Sequence, residues 1–493
     1  MDGEGGKTAT KRAISRREFL KIGGAGIAGV TLTGVAGCGG GGQSGGSREL
    51  IFSSSTDDTG TAKKLVDKFN EQNKSRIQVE FRPGNADTGQ RFDQLRTQFQ
   101  AGGEDLDVIL GDVIWTAQLA AQGWISDLSD RFTEDMRADY LPGSVEAVTY
   151  EGKIYGVPWF TDTGLLYYRK DLLEDNGFSG PPKTWDDLKQ MTEEVRQGSG
   201  TRFGYAFQGA NYEGGVCNGL EFIWTHGGEA LDPEDPTRVL IGGPEAVAGL
   251  AEYRSMISDG VAPETMSVYK EDESAGAFLR GDAVFMRNWP YVYDLISDPA
   301  QSKVRPEQVG VAERPSSDGE PGNGTVGDQP YYISATSANA DAAWEFIRFM
   351  TAPEQQVFRA TEGSYLPTLK ALYDDQDLRE RVPLIALAKS ALRNTKPRPV
   401  SPCYSDMSLE MADQFNACLN GNQSPDETGR ALQNSLEAFI RQGEREGRCR
   451  SRGHGGRKTL SVLRGAGLLR ERGRYRRLRA NGLALGSGDP GRR

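Results

Sequence analysis

Glu49 to Asp112 reads ELIFSSSTDDTGTAKKLVDKFNEQNKSRIQVEFRPGNADTGQRFDQLRTQFQAGGEDLDVILGD, with short apolar runs alternating with longer amphipathic ones. Leu50-Ile51-Phe52, Ile77 to Phe81 and Val108-Ile109-Leu110 read as strands, the second alternating as a half-buried strand does. Between them, Thr61 to Asn73 reads as a helix with Ala62, Leu65, Val66 and Phe69 on one face, and Phe92 to Ala101 as another. Strand, helix, strand, helix, strand is the order of an α/β layer fold. Asp112 falls just past the third strand, where open α/β sheets place ligand-binding residues. It also suits the N-cap of a helix expected near Ile114, and the two roles are compatible.

At 493 residues the chain exceeds one ordinary core, so two domains are expected. A net charge of -11 argues against nucleic acid as a partner, because neutralising phosphates needs clustered Lys and Arg. No internal apolar run reaches the roughly 18 residues that span a bilayer. Cysteines at 38, 217, 403, 418 and 449 fit no CxxC metal pattern, and the histidines are His226 and His454 alone. No metal and no cofactor is expected. Cys217 with Cys403 and a buried reduced Cys217 both stay open. Cys403 with Cys418 is disfavoured, because Ser408 to Leu419 reads as a helix that holds its ends apart.

The N-terminus carries an address. Ser15-Arg16-Arg17-Glu18-Phe19-Leu20-Lys21 precedes a Gly/Ala-rich apolar stretch from Ile22 to Val35 and resembles a twin-arginine export signal. Val35-Ala36-Gly37-Cys38 resembles a lipobox, which makes residues 1–37 a signal peptide and Cys38 the lipidated first mature residue. Gly24, Gly26 and Gly29 spell a dinucleotide-binding GxGxxG, but paired arginines rather than a strand precede it. Residues 38–47 are a Gly/Ser tether.

Further along, Val157 to Arg169 packs aromatics around Asp162 and continues as a strand. A lone carboxylate among rings needs hydrogen bonds, which a polyol ligand supplies. Trp185 to Arg196 reads as a helix capped by Thr184, and Tyr212 to Gly227 as another carrying Cys217, Trp224 and His226. Ala275 to Asn288 leads into Trp289-Pro290-Tyr291, and Ala340 to Met350 reads as a helix with Trp344, Phe346 and Ile347 inward. Pro397 to Pro402 holds three prolines and is therefore extended, presenting Arg398. Residues 446–493 form an Arg/Gly-rich run that reads as a disordered basic tail or as a shifted reading frame.

Taken in order, Gly111 to Trp115, Tyr155 to Arg169, Tyr212 to Gly228, Arg287 to Tyr291, Leu366-Pro367-Thr368 and Arg398 to Pro402 resemble the extracellular solute-binding proteins of carbohydrate ABC importers. The trehalose/maltose-binding branch is the most similar, over roughly Glu49 to Glu444. The resemblance implies a two-lobed α/β periplasmic-binding-protein-like fold with a hinge and an interlobe ligand cleft. Lobe 1 is expected over 48–160 and 310–352, and lobe 2 over 161–309 and 353–445. It implies capture of a small carbohydrate, such as a disaccharide, for delivery to an ABC permease and its ATPase by a monomer anchored outside the cytoplasmic membrane. Carried over residue by residue, Asp112 and Asp162 accept from sugar hydroxyls, Trp289 stacks, Phe160 lines the cleft and Arg398 donates. Asp58 stands for an acidic contact of the first loop, where Asp57 is the alternative. Asp328 and Gln329 occupy a place where the branch has a Gly-Gly-Trp turn, so trehalose or maltose is not carried over as the ligand. The competing reading is a secreted glycoside hydrolase using Asp112 and Asp162 as paired carboxylates. An adhesion or scaffold lipoprotein would leave the cleft residues without a role.

Overall fold

The computed structural model describes residues 48–57 and 59–445. The export signal, the lipobox with Cys38, the tether, Asp58 and the basic tail lie outside the described residues.

The opening stretch folds in the order read from it. β1 (Arg48–Ser54) pairs in parallel with β2 (Ile77–Pro83) and with β3 (Val108–Leu110). The helix Thr61–Gln72 buries Ala62, Leu65, Val66 and Phe69 against this sheet. The second helix, Thr88–Gln100, begins four residues before Phe92, because the Asp87 carboxylate accepts the Gln90 N–H at 3.1 Å and caps it.

A hairpin of β4 (Thr149–Tyr150) and β5 (Lys153–Ile154) turns through Glu151 and Gly152, both at positive φ. The run from Val157 to Arg169 is two strands in different sheets. β6 (Gly156–Thr161) joins the first sheet and β7 (Leu165–Arg169) begins a second, which β8 (Phe203–Ala206), β9 (Ala283–Asn288) and β10 (Val309–Ala312) complete. β11 (Gly324–Thr325) precedes β12 (Gln329–Ile333), which returns to the first sheet, as does β13 (Leu366–Pro367). β14 (Thr395–Lys396) pairs in parallel with β11. The sheet orders are β13-β6-β12-β3-β1-β2 and β10-β7-β9-β8. Thus Val309–Ala312 pairs in the second sheet and Leu366–Pro367 in the first. The boundaries expected at 310 and 353 put these strands with the other lobe, because periodicity marks a strand without naming its partner.

Three segments run side by side between the two sheets. Asp162-Thr163-Gly164 links β6 to β7, and Val326-Gly327-Asp328 links β11 to β12. They are joined by the Gly327 N–H donating to the Asp162 carbonyl at 3.0 Å and by a Thr163–Val326 bridge. The third, beyond β14, is held by the Val326 N–H donating to the Lys396 carbonyl at 3.0 Å. The proline run after Lys396 is neither helix nor strand, and the chain turns at Pro402 into the helix Tyr404–Leu419.

Two details depart from the sequence reading. The helix Glu213–Trp224 stops before His226, whose Nδ1 lies 2.9 Å from the Phe222 carbonyl at the helix end. Trp344 of the helix Ala340–Met350 is only half-buried, since Ala342, Ala343, Phe346, Ile347 and Met350 fill the inward stripe. Cys217 and Cys418 are free and buried, so neither the Cys217–Cys403 nor the Cys403–Cys418 pairing forms. Cys403 is disulfide-bonded to neither of them.

The second sheet encloses a charged network. Arg287, on β9 and fully buried, donates from Nε and Nη2 to Glu221 at 2.9 and 2.6 Å, and Arg314 Nη1 lies 2.8 Å from the same carboxylate. The Thr325 N–H also donates to Glu221, which ties β11 to the helix Glu213–Trp224. Burial alone would raise the Glu221 pKa, but the two guanidinium groups hold it below the usual carboxylate range.

Candidate functional site

The candidate residues collect where the chain passes between the sheets. Asp112 ends β3 and accepts the Ile114 N–H at 3.1 Å, the cap expected of it. Its Oδ1 also accepts from Arg398 Nη2 at 2.7 Å. Arg398 donates from Nη1 to Glu213 Oε1 at 2.7 Å and from Nη2 to the Val326 carbonyl at 3.3 Å, leaving Nε buried without a partner. Burial would lower the Arg398 pKa, and the facing Asp112 and Glu213 carboxylates hold it above its ordinary value. Glu213 is further held by the Tyr404 hydroxyl at 2.5 Å and by Ser408.

Asp162 and Asp328 form a second cluster on the two neighbouring crossings. Asp162 is 7 % exposed and its Oδ1 is buried with no hydrogen-bond partner. Burial, then the neighbouring Asp328, pushes its pKa well up, against the pull of Arg359 and Arg287. Asp328 accepts from Thr161 and Ser144, and burial is the main cause that raises its pKa to about 6. Gln329 opens β12 opposite Phe160, with Oε1 buried and unpartnered.

Trp289 follows β9 and is half-buried. The Arg287 guanidinium lies 4.0 Å over its ring, and its Nε1 donates to Glu271 Oε1 at 3.4 Å. Gly327 keeps this corner open, since a Cβ there would lie 3.0 Å from the Trp289 ring and 3.0 Å from Asp162 Cβ. Phe160 is buried against Tyr365, with ring centroids 4.7 Å apart. Asp57, the alternative to Asp58, accepts the Ala62 and Lys63 N–H groups at 3.1 and 2.8 Å and so caps the first helix.

Glu213, Glu271 and Arg359 belong to this region and were not legible as site residues. Glu213 and Glu271 each open a helix, where an acid reads as ordinary dipole compensation. Arg359 sits within the helix Pro353–Gly363, where a cation reads as solvated.

A model of the bacterial extracellular solute-binding proteins matches residues 53–357. The chain belongs to this family. The solute-binding protein is 33 % identical over 334 residues to a probable ABC transporter-binding protein of Deinococcus radiodurans, covering 67 % of this chain and 78 % of that one. It is 26 % identical over 319 residues to the maltotriose-binding protein of Pyrococcus abyssi, covering 62 % of this chain and 64 % of that one. Maltose-bound T. maritima MalE3 superposes with a TM-score of 0.75 at 35 % identity, over 80 % of this chain and all of that one. The solute-binding protein therefore has the two-lobed periplasmic-binding-protein fold, and its family works with ABC transporters outside the cytoplasm. Family and neighbours are binding proteins rather than enzymes.

Proposed function

We propose that this chain is the exported, lipid-anchored receptor of an ABC importer, which captures a small oligosaccharide and delivers it to the permease and ATPase as a monomer. The relatives named for maltose and maltotriose support a glucoside-sized ligand. Asp328 and Gln329 make this pocket more polar than a tryptophan would, so the ligand is assigned as a disaccharide or similar oligosaccharide without naming the sugar. In this reading Arg16-Arg17 direct twin-arginine export and Cys38 carries the lipid. The lobes close about the three segments between the sheets, and Asp58, Asp112, Phe160, Asp162, Trp289, Asp328, Gln329 and Arg398 form the ligand site.

The observation that carries this reading is the pairing of unmet buried acceptors, Asp162 Oδ1 and Gln329 Oε1, with the Trp289 and Phe160 rings. Sugars present hydroxyl donors and apolar C–H faces, and this set meets both. A hydrolase reading has less support, because Asp112, one of its two carboxylates, is already ion-paired to Arg398.

The test is a thermal-shift screen of the mature chain against mono- and disaccharides, with product analysis of each hit. A raised melting temperature with the sugar recovered intact is the expected result. A cleaved sugar would move the assignment to a glycosidase, and no shift with any sugar would end the receptor reading. Anchoring is tested separately: C38A is expected to abolish lipid labelling and release the protein from membranes.

A further inference from the structure

Arg359 is a buried cation with unmet donors and, among the described residues, no carboxylate bound to it. It is 4 % exposed, and its Nε and Nη1 are buried with no hydrogen-bond partner. Its Cζ lies 3.6 Å from the Trp159 ring centroid and 3.8 Å from that of Tyr365, with Phe160 at 4.7 Å. Three rings thus crowd around this one guanidinium. What the group has left to offer is the hydrogen-bonding capacity of its Nε and Nη1 N–H groups.

No carboxylate among the described residues forms an ion pair with Arg359. The acids that act on it through space are Asp57 and Asp162. Asp57 is committed to its helix cap through both oxygens. Asp162 is not committed, for its Oδ1 has no partner, and Arg359 in turn is among the groups that hold the Asp162 pKa down. A buried cation with spare donors and a buried carboxyl with a spare acceptor thus influence one another without touching. An unpaired buried guanidinium is costly, so a molecule that both accepts and donates relieves the two together. A sugar hydroxyl does both.

We propose that Arg359 is a further ligand-binding and specificity residue, donating from its unmet N–H groups to oxygens of a neutral sugar whose hydroxyl protons go to Asp162. An amino sugar meets the Arg359 cation, and a uronate meets Asp328, which lies beside Asp162 and is ionised at neutral pH with its pKa of about 6. The site therefore selects neutral sugars. This rests on the receptor reading above, and deepens it by naming a donor and a ligand charge.

The experiment begins from a sugar that binds the parent protein, measured by isothermal titration calorimetry at neutral pH. Arg359→Met keeps an apolar stem among the rings and removes the donors, while Arg359→Lys keeps the charge and loses the guanidinium N–H groups. Both are expected to weaken binding by about 10- to 100-fold, the effect of losing hydrogen bonds from a charged donor. A variant that melts cooperatively and binds within about twofold of the parent, well below the tenfold of one charged hydrogen bond, would reduce Arg359 to a clamp among rings and overturn the proposal. Should neither variant fold, the parent decides the matter: the uronate and amino forms of the same sugar are expected to bind far more weakly than the neutral form. Equal binding of a charged form overturns the proposal while leaving the receptor reading standing. If no sugar binds the parent, that reading falls and this proposal with it.

Discussion

Arg398 donates to Asp112 at 2.7 Å, so two groups that the sequence assigns separately to a ligand satisfy each other across a sequence separation of 286. The same guanidinium holds Glu213 from the other side, and both acids are buried. Arg398 thus ties β3 of the first sheet to the helix Glu213–Trp224 that packs on the second. Arg398→Met leaves both carboxylates buried and uncompensated, so a loss of about 3–5 kcal/mol is expected in urea denaturation. Adding Glu213→Gln should recover part of it. A single Arg398→Met variant as stable as the parent would show that the bridge does not hold the sheets.

Trp289 and Asp162 are expected to govern affinity rather than folding. Trp289 is half-buried, and Trp289→Ala should weaken sugar binding by ~2 kcal/mol, roughly 30-fold, as a stacking anchor does. Asp162→Ala removes the spare acceptor and should also weaken binding strongly. Both variants should keep a cooperative melt, and parent-like affinity in both would refute the site assignment.

Gly164 lies against the buried ion pair of the second sheet. A Cβ there would sit 2.1 Å from Glu221 Oε1 and 2.6 Å from Arg287 Nη2, both in side chains with no solvent exposure. Gly164→Ala must therefore displace the pair, and the expected loss is about 1–3 kcal/mol, that of overpacking a core. Circular dichroism through a denaturant series checks this.

Asp328 makes stability depend on pH in a stated direction. Its pKa in the folded protein is raised to about 6, above the ordinary aspartate value, because the carboxyl is buried. A raised folded pKa means that its contribution is fully present below about pH 4, in the acid form, and is lost as pH rises through about 6. The difference approaches about 3 kcal/mol. Asp328→Asn should flatten this part of the profile, so the stability difference between parent and variant should change between pH 4 and pH 7. A constant difference across that range would refute the assignment.

Cys217 and Cys418 should be inert in the native protein. Burial pushes the Cys217 thiol up to about 12 and raises Cys418 as well, so little thiolate exists near neutral pH. Peptide mapping after alkylation should find both modified only once the chain is unfolded. Labelling of either in the folded state would contradict its burial.

The alternation between Glu49 and Asp112 was enough to read three strands, two helices and their order, because amphipathic period is written in adjacent residues. The Thr184 cap and the absence of helix over Pro397 to Pro402 were legible for the same reason: both follow from the local chemistry of a hydroxyl at a helix start and of proline. Sheet membership was not. Nothing in Val157 to Arg169 signals that the chain changes sheets at Asp162, since both halves are equally apolar, and nothing in Val309–Ala312 names β7 as its partner.

The candidate acids and Arg398 were likewise visible as residues of the right chemistry in the right segments, while their partners were not. Arg398 meets Asp112 and Glu213, and Arg359 lies against Trp159 and Tyr365, through contacts made only once distant segments pack. Local pattern sets which residues face inward along each strand and helix. Which charges meet there, and which stay unmet for a ligand, follows from three-dimensional packing, because a buried group's energy depends on neighbours that chain distance does not reveal.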